Sequence, residues 1–156
     1  MRIHIATDHA GLDLSHFLIA ELSKAGHEVF DHGPKEYDPL DDYPSFCINA
    51  ALAVRADEDA GVQALGIVLG GSGNGEQIAA NKVKGIRAAL VWNLDTAKLA
   101  RQHNDANVVA VGARQHSQEE VLGLITAFVA EPFSQDERHV RRINKISSYE
   151  QTGEIL

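Results

Sequence analysis

Four glycines, Gly70, Gly71, Gly73 and Gly75, fall within six residues of the stretch LGGSGNGEQIAANKV, Leu69 to Val83. Backbone without Cβ atoms turns sharply and presents its N–H groups to an anion. The Gly-x4-Gly spacing of Gly70 and Gly75 is that of a phosphate-cradling loop, but Glu76-Gln77 stands where Lys-Ser or Lys-Thr would follow. The dinucleotide fingerprint fails as well, because counted from Gly71 its third glycine falls at Glu76. What remains is an anion loop with a carboxylate at the mouth of a helix. That pairing suits one kind of chemistry: a carboxylate removes a proton from carbon beside a carbonyl while N–H donors hold the enolate oxygen. Two plainer explanations compete, a purely structural tight turn and a glutamate placed to suit the helix dipole. The dipole keeps Glu76 ionised but lowers its basicity, so a working base here needs desolvation in compensation.

A second group is basic. Arg138 and Arg142 are four apart and share a helix face, with His139 and Arg141 beside them. Arginine forks suit phosphate, and His9 can join them; a solvated face paired with acids is the alternative. His4, His16, His27, His32 and His116 lack metal-ligand spacing and read as surface or structural residues, so no metal site is expected. Cys47 sits in an apolar helical run and reads as core rather than nucleophile. Trp92 reads as a packing residue of a strand.

These groups need a scaffold. Five short apolar runs, 2–7, 27–31, 65–70, 86–92 and 107–112, alternate with helical patterns. Leu14, Phe17, Leu18 and Leu22 share one helical face, and Gly26 is placed to end that helix. Residues 43–57, 94–104 and 117–130 also read as helices, the last with a capping box at Ser117 and Glu120. The alternation predicts an α/β fold: a three-layer α/β/α Rossmann-like arrangement with a five-stranded parallel sheet. Residues 32–44 carry four carboxylates and read as a surface loop without calcium-loop spacing. A helix over about 134–150 follows the completed sheet and is free to cross to a partner subunit.

In open α/β sheets ligands bind beyond the carboxyl ends of the strands. The rule selects Asp8 and His9 after the first strand, the glycine loop after the third, and Gly112-Ala113-Arg114 after the fifth. His103 and Asn104 precede the fifth strand and fall at the wrong end, unless they serve a neighbouring subunit.

The composition narrows the function classes. The 156 residues make about one domain, expected to span 1–156, and 44% hydrophobic with 23% charged residues describes a globular chain. A net charge of −8 argues against non-specific nucleic-acid binding. The single cysteine excludes an intramolecular disulfide. No secretory leader pattern and no apolar run of membrane-spanning length is visible, so a cytoplasmic protein without membrane partners is expected.

Together these positions resemble the type B ribose-5-phosphate isomerases, a family that also includes galactose-6-phosphate and allose-6-phosphate isomerases. The residues that carry the resemblance are ATDHAG, DDYPSFC, GGSGNGEQIAANKVKGIRAAL, RQHNDANVVAVGAR and RHVRRI, in that order along nearly the whole chain. The resemblance implies conversion of an aldose phosphate to a ketose phosphate through a cis-enediolate, without metal or organic cofactor. It implies that Asp8 and His9 hold a small-molecule sugar phosphate, with His9 near the phosphate. It places the reacting oxygens on Gly71, Ser72, Gly73, Asn74 and Gly75, with Ser72 able to hydrogen-bond there. His103 would open the furanose ring, with Asn104 beside it. Arg114, Arg138 and Arg142 would grip phosphate or orient hydroxyls. Homodimers with sites shared between subunits are implied too, with pairing into tetramers left open; sharing would explain His103. Many members carry Cys-Gly-Thr-Gly in the loop and use that cysteine as the carbon base. Here the residues are Gly70-Gly71-Ser72-Gly73, which points to the branch that uses glutamate, Glu76. The same chemistry on a four- or six-carbon sugar phosphate, and a non-catalytic flavodoxin-like binding module, are the competing readings.

Overall fold

A computed structural model describes residues 1–155; the domain expected over 1–156 ends at Leu156, which lies outside the described residues. The chain alternates strand and helix: β1 (Arg2–Thr7), α1 (Leu12–Lys24), β2 (Glu28–Asp31), α2 (Tyr43–Asp59), β3 (Ala64–Gly70), α3 (Asn74–Ala80), β4 (Ala88–Leu90), α4 (Leu94–Asn104), β5 (Val108–Gly112), α5 (Gln118–Ala130) and α6 (Glu137–Thr152). All five strands are parallel, in the order β2-β1-β3-β5-β4. Three layers and a late extra helix match the fold expected from the alternation.

Period-two alternation divides the core. Ile3, Ile5, Ile67, Leu69, Val109 and Val111 face α1, α4 and α5, where Leu18, Ile125 and Phe128 are fully buried. Burying side chains of that size stabilises the fold by roughly 1.5–3 kcal/mol each. The opposite face is built of smaller residues, Ala6, Val68 and Ala110, against Ala50, Ala51 and Val54 of α2. Gly66 shows how close the approach is: a Cβ there would sit 2.8 Å from Val108 and 3.1 Å from Val54. This close packing of α2 sets its first turn beside the glycine loop.

Local chemistry sets the boundaries. The Ser117–Glu120 capping box forms, and Asn93 with Thr96 makes a second one at the start of α4. The last helix begins at Glu137 rather than 134, because Asp136 accepts from the Arg138 N–H and caps it, and it runs on to Gly153 in the left-handed region. One expectation is corrected. Trp92 is not a strand packing residue: β4 is an edge strand of three residues ending at Leu90, and Trp92 lies past it, 60% exposed. His4 is structural as expected, with its ring nitrogens 2.9 Å from His32 Nε2 and 3.0 Å from Asp57 Oδ2. Among the described residues no helix is long and apolar enough to cross a membrane.

Candidate active site at the carboxyl ends of β1 and β3

From β1 the chain moves to β2 on one side; from β3 it moves to the other side of the sheet. The crevice between them is the topological switch point where ligands of such folds bind. Backbone bonds tie three loops together there: Asp8 N donates to Leu69 O at 3.2 Å, Ala113 N to Gly70 O at 2.7 Å, and Arg114 N to Gly71 O at 3.2 Å. Asp8 Oδ1 accepts from the N–H groups of Ala10 and Gly11, at 2.8 and 3.1 Å, which caps a 3-10 turn over His9–Gly11 and fixes the His9 backbone.

The glycines of the loop have separate jobs. Gly73 takes φ +81°, and a Cβ there would run into Leu90 and the Val111 backbone. At Gly71 a Cβ would stand 3.3 Å from Arg114 Nη1, so the guanidinium lies over that peptide. Ser72 Oγ accepts from Asn74 N and Nδ2, at 3.3 and 3.2 Å, which leaves its hydroxyl proton to donate elsewhere. The N–H groups of Gly71, Ser72, Gly73 and Gly75 donate to no acceptor among the described residues. Unpaired backbone N–H groups of this kind are what an anionic oxygen requires of a site. Because α3 is short, these loop amides carry the anion preference more than any helix dipole does.

Glu76 is 4% exposed. Its side chain folds back toward β3, and a Cβ on Gly70 would overlap its carboxyl group. Burial pushes the Glu76 carboxyl above the ordinary glutamate range; its own backbone N–H opposes this, and the charges of Asp8 and Asp41 add to it. The desolvation that a working base needs at this position is therefore present.

Two further residues reach this site to which the sequence reading assigned no role, although both lie in DDYPSFC. Asp41, at the end of the acidic loop, places Oδ1 2.8 Å from His9 Nδ1, and its side chain is 6% exposed. The Tyr43 hydroxyl packs against Gly75 so closely that a Cβ there would overlap it. Both stand at the start of α2, which follows β2 and so begins at the carboxyl edge of the sheet. The carboxyl-end rule applied to β2 would have found them. Cys47, one turn on, is fully buried, and burial with the negative charges of Glu76 and Asp8 pushes its thiol upward, so it stays protonated.

The remaining candidates lie elsewhere. Asn104 O accepts from Arg87 Nε at 2.8 Å, just before the amino end of β4, so α4 ends at the opposite edge of the sheet from Glu76. His103 packs against His139 with ring centroids 4.2 Å apart and the ring planes tilted by 36°. His139 is 4% exposed, meets Ser134 Oγ at 3.0 Å, and is pushed below the ordinary histidine range, by burial first. Arg138 reaches Asp136 at 3.4 Å, and Arg142 has no ion-pair partner among the described residues; both are exposed. The fold thus brings together Asp8, His9, residues 71–76 and Arg114, and separately His103, Asn104, Arg138 and Arg142. No cluster of metal-ligating side chains occurs among the described residues.

Fold and site define an α/β protein with unpaired loop amides beside a buried carboxyl group at the carboxyl ends of its strands. Residues 3–146 match the model of a family described as ribose/galactose isomerase. The ribose-5-phosphate isomerase B of Mycolicibacterium paratuberculosis is 51% identical over 152 residues, covering 97% of this chain and 93% of that protein. The Escherichia coli ribose-5-phosphate isomerase B is 37% identical over 150 residues, covering 96% of this chain and 97% of that protein. The crystal structure of the Mycoplasma genitalium ribose-5-phosphate isomerase B with bound ribulose-5-phosphate superposes with a TM-score of 0.91, at 41% identity and 97% coverage of both chains. The chain belongs to the ribose/galactose isomerase family.

Proposed function

We propose that the chain interconverts ribose 5-phosphate and ribulose 5-phosphate through a cis-enediolate, with Glu76 as the carbon base. The single observation that carries the mechanism is the Glu76 carboxyl group buried in the space beside Gly70, next to a loop of unpaired N–H donors. The names of the relatives, and the ribulose-5-phosphate in the Mycoplasma genitalium structure, support the substrate.

In this reading Glu76 removes the proton from C2 of the open-chain aldose and returns one to C1. Residues 71–75, with the Ser72 hydroxyl, hold the O1 and O2 oxygens as negative charge develops. Asp8, His9 and Arg114 complete the side of the pocket supplied by one chain. His103 opens the furanose ring of a neighbouring subunit, with Asn104 beside it, and Arg138 and Arg142 of α6 take the phosphate there. The 1–156 chain works as one isomerase domain of a homodimer. The support for shared sites is the placement of His103 and the exposed arginines at the sheet edge remote from Glu76.

A coupled assay over aldose phosphates of four, five and six carbons tests the function. Ribose 5-phosphate should give the highest kcat/KM; a higher value for allose 6-phosphate or galactose 6-phosphate would move the chain to that substrate. No turnover of any of them would overturn the isomerase reading.

Subunit sharing makes a separate prediction. Glu76→Gln and His103→Ala homodimers should each be nearly inactive. Mixed after demonstrated exchange, they should regain up to about a quarter of wild-type activity, since half of the dimers are hybrids and one of each hybrid's two sites carries neither lesion. Absence of recovery would show that His103 serves its own chain.

A further inference from the structure

The mechanism proposed above leaves the buried carboxylate of Asp41 without a role. Asp41 ends the loop that leads into α2. Its Oδ1 lies 2.8 Å from His9 Nδ1, and its Oδ2 is buried without a hydrogen-bond partner. His9 Nε2 has no partner among the described residues, and the Tyr37 ring stands edge-on to the imidazole at 5.8 Å. A buried carboxylate with one free oxygen is costly unless something at the site uses it.

We propose that Asp41 is a positioning residue of this site, which holds His9 by Nδ1 so that Nε2–H is presented to the phosphate of the substrate. What His9 binds rests on the isomerase reading above; that Asp41 orients His9 rests on the geometry. A carboxylate at Nδ1 fixes where that ring proton sits, and the second ring nitrogen then donates to an anion when the ring carries both protons. Without Asp41 the imidazole rotates among conformers, and the contact loses its preorganisation.

Asp41 has a second effect through space. The titratable groups within electrostatic reach of Glu76 are Asp8 from the end of β1, Asp41 from the loop and Cys47 from α2, while Tyr43 of α2 lies against Gly75 and Arg114, beyond β5, lies over Gly71. Asp41 and Asp8 are the negative neighbours that help to hold Glu76 above its ordinary range. Removal of the Asp41 charge makes Glu76 easier to ionise. The acid limb of the pH profile therefore moves to lower pH, a change that a merely structural loop residue would not produce.

The test uses the full chain in its native assembly. Asp41→Asn should raise KM for ribose 5-phosphate about 10-fold, the loss expected for one charge-assisted contact, with a smaller change in kcat. The acid limb of kcat/KM should shift downward. Asp41→Glu, which keeps the charge, should recover part of both. In a His9→Ala background Asp41→Asn should add no further increase in KM, since it acts through His9. An unchanged KM in folded Asp41→Asn, or losses that simply add to those of His9→Ala, would overturn the proposal. If the wild type turns over no sugar phosphate, the isomerase reading falls. Asp41 is then judged by calorimetric binding of inorganic phosphate: weaker binding by Asp41→Asn than by wild type supports the positioning role, and equal binding overturns it.

Discussion

Glu76→Gln is expected to lower kcat for ribose 5-phosphate by at least about 10²-fold, the lower end for loss of a positioned general base. The amide matches the carboxylate in shape, so the packing against Gly70 survives and KM should change little. Stability should not suffer either. The native Glu76 carboxyl is held above its unfolded value, so its protonated form is the one that the fold favours. Its contribution to stability is present below the unfolded pKa and is lost as pH rises through the folded one. At neutral pH the ionised group is therefore a cost, and a neutral amide removes that cost. Thermal melts should place Glu76→Gln at or above the wild-type midpoint near neutral pH. In the wild type, the acid limb of kcat/KM should lie above the range of an ordinary glutamate, because the base must be ionised to work. A variant that loses both activity and fold would point to a structural role for Glu76.

Gly70→Ala should be nearly as damaging to turnover, about 10²-fold, without changing any group that takes part in the chemistry. The added methyl would occupy the space now filled by the Glu76 carboxyl group and push that group off its position. A displacement of about 1 Å costs catalysis on that scale. Gly70 is not in the left-handed region, so the backbone tolerates alanine and the loss should fall on kcat. The check is a kcat and KM determination with circular dichroism to confirm the fold. Activity close to wild type would mean that the carboxyl group does not work from beside Gly70. The contrast with cysteine at this position in other members then has a spatial reading: side chain and carboxylate compete for one volume, so a chain with Glu76 placed this way needs glycine at 70.

Much of this was legible from residue types alone. Apolar alternation located all five strands, and the carboxyl-end rule located Asp8, the glycine loop and Arg114. Glu76 was visible as a carboxylate where a cation was due. Its burial and raised pKa were not, because the first depends on Gly70 and the close seat of α2 and the second also on the charges of Asp8 and Asp41, which come from three different parts of the chain. Asp41 and Tyr43 lie in DDYPSFC but were assigned no role in the site, because they sit in an acidic, proline-containing stretch that reads as solvated loop. Trp92 was misplaced because an apolar run does not reveal that its strand is a short edge strand. The contact of the His103 ring with that of His139 joins two helices distant in sequence, and periodicity within either helix carries no trace of it.

Deuterium at C2 of ribose 5-phosphate reports which group breaks the C2–H bond. Wild-type protein should lose the label from C2, to solvent or to C1, and show a slower turnover than with protium. Folded, substrate-binding Glu76→Gln should leave the label in place over the same period, while Cys47→Ser should release it at close to the wild-type rate. Loss of deuterium from C2 by Glu76→Gln at a near wild-type rate would contradict the assignment of Glu76 as the carbon base.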